Sequence, residues 1–155
     1  MPPGAGVRIR DAGPGERAAL EDLQRRSADV WPDYREQLLA NPDVIEVDAE
    51  AIAHRRVRVA VDATSGLIVG FSVVLPPIAR AVELDGLFVD PSAMRRGVGR
   101  ALVEDAAATA HAIGATRLDV IANPGAVPFY KSLGFVPDGR AATTFGPAPR
   151  LMRSL

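Results

Sequence analysis

The stretch Leu84-Asp85-Gly86-Leu87-Phe88-Val89-Asp90-Pro91-Ser92-Ala93-Met94-Arg95-Arg96-Gly97-Val98-Gly99-Arg100 decides the fold of this chain. It opens as a strand, passes through an arginine–glycine turn at 95–100, and runs into a helical pattern beginning at Ala101. Two glycines one residue apart lack the Cβ that would hold a ligand away from the backbone. N–H groups at a helix start have no intrahelical partner and face whatever lies ahead, which favours an anion. Three arginines in six positions add charge and forked donors suited to phosphate. Strand, turn and amphipathic helix in that order read as a pyrophosphate cradle.

Two other phosphate motifs do not fit. A Walker loop needs a lysine after its second glycine, and the only lysine is Lys131. A dinucleotide fingerprint needs a glycine three residues after Gly99, where Leu102 stands. The flanking residues are more specific. Val89-Asp90-Pro91 precedes the turn, and Asn123-Pro124-Gly125-Ala126-Val127-Pro128-Phe129-Tyr130-Lys131-Ser132-Leu133-Gly134-Phe135 follows it. Together they resemble the GNAT superfamily of acyl-CoA-dependent N-acyltransferases over roughly residues 84–136. The departure is Met94, in a slot where the family usually carries Arg or Gln. Backbone N–H groups hold most of the pyrophosphate, so the loss of one side chain is tolerable.

The resemblance implies an α/β fold: a central mixed, mostly antiparallel sheet of six to seven strands with helices on both faces. It implies transfer of an acetyl group from acetyl-CoA to an amine of a small molecule or peptide, by direct attack in a ternary complex. Leu87, Phe88 and Val89 are then expected to pair with the pantetheine arm through their backbone, one N–H serving as oxyanion donor. Arg95, Arg96, Gly97, Val98, Gly99 and Arg100 form the cradle. Asn123 caps the last helix and touches the pantetheine. Tyr130 matches the family tyrosine that protonates the departing thiolate. The resemblance also admits a homodimer.

Composition agrees with a single domain spanning residues 1–155, with 1–6 disordered. Hydrophobic residues make up 48% and charged residues 24%, ordinary for a globular chain. A formal net charge of −1 points to neither nucleic acid nor a membrane surface. There is no cysteine, which removes disulfides, Cys-ligated metals and a Cys-based ping-pong route together. The amino terminus lacks a signal peptide's basic and apolar regions, so the expected location is the cytoplasm. Arginine outnumbers lysine 17 to 1, a bias expected of GC-rich coding.

Along the chain, residues 7–10 read as a first strand, with Pro14 at a helix start. Leu20 and Leu23 give a partial helical stripe. Asp33 with Glu36 resembles a capping pair for a helix reaching Ala40, and a short helix is expected over Asp48 to Ala53. Val57, Val59 and Val61 alternate as a half-buried strand. Residues 67–75 form a nearly continuous apolar strand covered on both faces, and residues 81–89 form the next. Leu102, Val103, Ala106, Ala107, Ala110 and Ile113 line one face of the following helix, which Gly114 stops. Leu118, Val120 and Ala122 alternate as a fifth strand. Pro128 is tolerated only in a first turn, so the last helix begins near Pro124 or Gly125. Strands from Phe135 and from Arg150 to Leu155 close the order.

Acyl transfer needs a neutral amine, and a free alkyl amine has a pKa of about 10.4. A base is therefore useful. Glu83 and Asp85 share one face of the fourth strand by the period of two. Glu83 is taken as the base, directly or through water, with Asp85 as its substitute or as the group that binds the amine. Asp119 is a weaker candidate because its face is undetermined. A phenol of pKa about 10 beside a thiol of about 8.5 can pass a proton without ionising first, which suits Tyr130. His54 and His111 lack metal-ligand spacing, and no metal is expected. Trp31 and Tyr34 fall where the family shapes its acceptor pocket, and residues 30–53 and 139–149 would select the acceptor without carrying a readable motif. The alternatives are a non-catalytic acyl-CoA-binding or sensing domain, which needs neither Glu83 nor Tyr130, and a nucleotide-binding protein.

Overall fold

Val57, Val59 and Val61 are 0%, 0% and 6% exposed, and Arg58 between them is half-buried. They belong to β2 (Val57–Asp62). The computed structural model describes residues 6–30, 32–41, 45–143 and 146–155. Its elements are β1 (Val7–Asp11), α1 (Arg17–Ser27), α2 (Pro32–Ala40), α3 (Ala49–Ala53), β2, β3 (Ile68–Val74), β4 (Ala81–Val89), α4 (Val98–Ala112), β5 (Arg117–Ile121), α5 (Val127–Ser132), β6 (Val136–Thr143) and β7 (Gly146–Ser154). The strands form a seven-stranded sheet in the order β1-β2-β3-β4-β5-β7-β6. It is mostly antiparallel. β4 and β5 pair in parallel, and parallel neighbours need a long crossover, which α4 makes. The expected mixed, mostly antiparallel sheet is therefore present, with seven strands. No helix among the described residues is long and apolar enough to cross a membrane.

The chain falls into two compact units, Met1–Val73 with Gly86–Glu104, and Val74–Asp85 with Asp105–Leu155. In the first, α1 (Leu20, Leu23) and α3 (Ala51, Ile52) pack with Val57, Val59, Val61 and Phe71. Ala60 and Val69, on the other face of the same strands, pack with Val98 and Leu102 of α4. Helices thus cover both faces, and β3 is buried over its centre for that reason. Each fully buried Leu or Val contributes ~1.5–3 kcal/mol relative to its exposed state. At the entry to α1, Glu16 accepts from the Gly13 N–H at 2.7 Å and from both Nη groups of Arg10 at 2.8 Å.

In the second unit, Val82, Leu84, Leu118, Val120 and Leu151 are 1–3% exposed or fully buried. Registers are Glu83↔Asp119 between β4 and β5, and Asp119↔Met152 and Ile121↔Arg150 between β5 and β7. β6 lies at the sheet edge with seven of its eight residues exposed. Its pairing with β7 slips by one residue between Pro137 and Arg140, where Gly139 takes φ +87°.

Several elements differ from the sequence reading. The helix after the cradle starts at Val98, three residues before Ala101. The Ala101 N–H already bonds the Gly97 carbonyl at 3.0 Å, so the glycine break is Gly97 and Gly99 sits in the first turn. Ile113 is 62% exposed instead of core-facing. α4 ends at Ala112, and the left-handed Gly114 (φ +89°) turns the chain away. The last strand begins at Gly146, not Arg150, because residues 146–149 pair with β6. The short helix near residue 50 is present, with Asp48 Oδ1 accepting the Glu50 N–H at 2.9 Å. The side chains of Asp33 and Tyr34, Trp31 and residues 1–5 lie outside the described residues.

Candidate active site

The cradle belongs to the first unit. Leu87 and Val89 pack into the cluster that holds α4, and Phe88 lies with its ring centroid 5.0 Å from that of Phe71. All three side chains are thus committed to packing. Gly86 has no room for a Cβ, which would stand 2.7 Å from the Phe88 ring. Asp90 ends the strand and caps a 3₁₀ turn, Pro91–Ala93, accepting from the N–H and hydroxyl of Ser92 at 3.0 and 2.8 Å. Its other oxygen takes Nε and Nη2 of Arg26, in the last turn of α1, at 2.9 and 2.8 Å. Desolvation alone would raise the Asp90 carboxyl, but the Ser92 hydrogen bonds and the Arg26 guanidinium carry it below its ordinary value. The motif reading missed this clasp, because Arg26 and Asp90 lie 64 residues apart.

Beyond it the backbone turns sharply. Arg95 takes φ +63° and Gly97 φ +81°, both left-handed. A non-glycine residue at positive φ is uncommon and marks a built turn. The N–H groups of Val98, Gly99 and Arg100 precede the first helical bond of α4, a 15-residue helix. They form the helix N-terminal donor set that suits phosphate oxygens. Val98 is 1% exposed, so it anchors the turn and offers only its backbone. Arg95 and Arg100 are exposed. Arg96 donates to Asp62 Oδ2 at 3.3 Å in the β2–β3 hairpin, a partner the sequence reading did not give it. Met94, in the variant slot, is 38% exposed. The residues present fit the pyrophosphate of an acyl-CoA through backbone donors and the side chains of Arg95 and Arg100.

The titratable groups belong to the second unit. Glu83 and Asp85 share a face of β4, and the register puts Asp119 beside Glu83 on that face. Desolvation, then the negative charges of Asp85 and Asp119, hold the Glu83 carboxyl above its ordinary value, while Arg150 opposes them. Desolvation raises Asp85 as well, although the residue as a whole is exposed. Asp119 is less free than either: Arg117 donates to it through Nε at 2.7 Å and to Asp138 through Nη2 at 2.6 Å. Tyr130 lies in α5, 6% exposed. Phe129 and Phe135 meet its ring edge-on, with centroids 5.1 and 5.4 Å away. Burial pushes its phenol upward, so it stays protonated across the working pH range. Asn123 caps the turn before α5, its Oδ1 accepting the Gly125 N–H at 2.9 Å. His54 and His111 are exposed, and no group of metal-binding side chains occurs among the described residues.

Comparison with known proteins follows the same lines. The sequence profile described as "Acetyltransferase (GNAT) domain" matches residues 53–137. No curated protein sequence matches. A GCN5-related N-acetyltransferase from Rhodopseudomonas palustris superposes with TM-score 0.76 at 23% identity, over 96% of each chain. PaiA N-acetyltransferase from Thermoplasma acidophilum, solved with coenzyme A, gives 0.74 at 19% identity, over 96% of this chain and 99% of that one. N-acetylglutamate synthase from Neisseria gonorrhoeae, solved with coenzyme A and N-acetyl-glutamate, gives 0.72 at 20% identity, over 96% of this chain and 35% of that one. With its profile match spanning more than half the sequence and its fold shared with these structures, the chain belongs to the GNAT acetyltransferases and is an acyltransferase.

Proposed function

We propose that this protein transfers an acetyl group from acetyl-CoA to the amine of a small molecule or peptide, by direct attack within a ternary complex. The observation that carries the reading is the left-handed turn at Arg95 and Gly97 leading into the N-terminus of α4. It presents consecutive N–H donors where a pyrophosphate would sit. Backbone groups of Leu87, Phe88 and Val89 pair with the pantetheine arm, since their side chains are engaged elsewhere. One N–H of that strand faces the thioester oxygen as charge develops there. Asn123, besides capping its turn, touches the same arm.

Glu83 takes the amine proton, directly or through a water. Its raised pKa brings it nearer the operating range of a general base. The amine nitrogen bonds the thioester carbon, the carbon–sulfur bond breaks, and Tyr130 delivers its phenolic proton to the departing sulfur. Asp85 holds the acceptor's ammonium before deprotonation. With no cysteine in the chain, no acyl-cysteine step is available.

The test is a panel of amines with acetyl-CoA, followed by free thiol release and mass of the acetylated product. Acetylated amine with stoichiometric thiol supports the reading. Coenzyme A binding without transfer to any amine would favour an acyl-CoA sensor, and the absence of binding would remove the cradle.

A further inference from the structure

The polar face of the second unit carries one group that its neighbours leave unsatisfied. Glu83 faces Asp119, Asp119 faces Met152, and two residues further Ile121 faces Arg150. The period of two sets Glu83, Asp85, Asp119, Ile121, Arg150 and Met152 on one side of three adjacent strands. On that side Arg117, Asp119 and Asp138 are tied together at 2.6–2.7 Å. Among the described residues Arg150 has no such partner. Its Nε is buried without a hydrogen bond, one of two such side-chain atoms among the described residues. Leaving a charged donor desolvated and unpaired is costly, and such groups in native structures call for an explanation. Arg150 is close enough for Glu83 to feel its charge, yet no ion pair joins the two among the described residues. Neighbouring strands lie ~4.8 Å apart, so the β4 and β7 backbones stand ~10 Å apart across β5. The floor between them is apolar, Ile121 with Met152.

We infer that Arg150 receives a carboxylate carried by the acceptor, so that the substrate is an amine bearing a carboxylate, in the simplest case a free amino acid. The inference rests on the acetyl-transfer reading above. A guanidinium is a planar fork that pairs a carboxylate through two parallel hydrogen bonds. The acids of β4 hold the other end, where the ammonium enters and loses its proton. A zwitterion laid across β5 satisfies both ends, and its carboxylate supplies the acceptor that Nε lacks. Arg150 is thus a positioning residue that selects the substrate.

The experiment compares α-amino acids, ω-amino acids and their carboxamides as acceptors for the parent and for Arg150→Gln and Arg150→Lys. In the parent, kcat/KM is expected to favour the acid over its amide by roughly 10- to 100-fold, the value of hydrogen bonds to a charged group. Arg150→Gln should bring that ratio close to one, mainly through KM, and Arg150→Lys should keep part of it. The α and ω series show which spacing fits. Melting temperature supplies a readout that a structural role would move differently. Removing an unsatisfied donor leaves the ligand-free protein at least as stable, whereas a drop of several degrees in Arg150→Gln would make Arg150 a structural residue and overturn the inference. An acid-to-amide ratio near one in the parent, or one that survives Arg150→Gln, overturns it too and leaves acetyl transfer standing. If no amine is acetylated, the transfer reading falls. Calorimetric binding of N-acetyl amino acids in the presence of coenzyme A then decides separately: Arg150-dependent binding supports the carboxylate site, and no binding overturns it.

Discussion

Replacing Gly99 with valine separates the cradle from the fold. Gly99 is the second residue of α4 and lies outside the left-handed region, so a side chain there meets no backbone strain. Valine is a slightly better helix residue than glycine, and the unfolding free energy should move by less than ~0.5 kcal/mol. The neighbouring Gly97 does not offer this separation. At φ +81° a valine would cost ~1–2 kcal/mol in backbone strain before any ligand is considered. Coenzyme A at about 100 times its Kd stabilises the folded protein by ~2.7 kcal/mol. For a chain of 155 residues each kcal/mol moves Tm by ~2–4 °C, so the parent should shift by ~5–10 °C. In Gly99→Val, whose branched Cβ occupies the approach to the N–H groups, the ligand-free Tm should stay within ~2 °C of the parent. The coenzyme A shift should fall below ~2 °C. The assay is thermal unfolding followed by circular dichroism with and without ligand. A variant that keeps the full shift would refute backbone binding at this turn.

Tyr130→Phe keeps the ring and its edge-on contacts with Phe129 and Phe135, so coenzyme A affinity should hold while kcat falls by ~10²-fold, measured where chemistry limits turnover. Because the Glu83 pKa is raised, activity should fall as pH drops through a value above the ordinary carboxylate range. Glu83→Gln should flatten that limb of the kcat/KM profile, and Asp85→Asn should move it to lower pH by removing a charge that raises Glu83. Glu16 bears on stability: the Arg10 hydrogen bonds, opposed by desolvation and helped by the Gly13 N–H, lower its pKa from 4.5 to about 2. Its contribution is complete above pH 4.5 and is lost as pH falls toward 2. The shift corresponds to ~3 kcal/mol at full burial and to about 1 kcal/mol for a pair this open to water. Glu16→Gln should therefore destabilise at pH 7 and make no difference near pH 2, read by urea unfolding at both.

The readable parts of the sequence were those governed by local chemistry. Val57, Val59 and Val61 announce a strand by their period, Asn123 with Pro124 and Pro128 fixes a helix entry, and Gly114 adopts the left-handed conformation expected of a helix stop. The start of α4 was displaced because glycine reads as loop, and only the Ala101–Gly97 hydrogen bond shows that Gly99 is helical. Ile113 fits the apolar stripe arithmetically, but the stripe outruns the helix by one residue. Asp119 could not be assigned a face until the register with Glu83 was known. Arg150 and the Arg26–Asp90 clasp were invisible for a related reason. The clasp depends on a partner 64 residues away and the setting of Arg150 on its register with β5, and no spacing rule links one strand to another before the sheet is built. The role at Tyr130 came from resemblance and those at Glu83 and Asp85 from their shared strand face and the need for a base, and the experiments above are what bear on them.

The outer strand β6 has a bearing on how this protein behaves at high concentration. A sheet edge presents unpaired backbone groups that can template pairing with another chain. Here the edge is interrupted by Pro137, which has no N–H to offer, and by the one-residue slip at the left-handed Gly139. Arg140 adds an exposed charge. A straight, fully hydrogen-bonding edge would be a route to fibrils, whereas a kinked and charged one discourages chain-to-chain growth. Substitutions that straighten β6, such as Pro137→Val combined with Gly139→Val, would convert a solubility device into an aggregation seed.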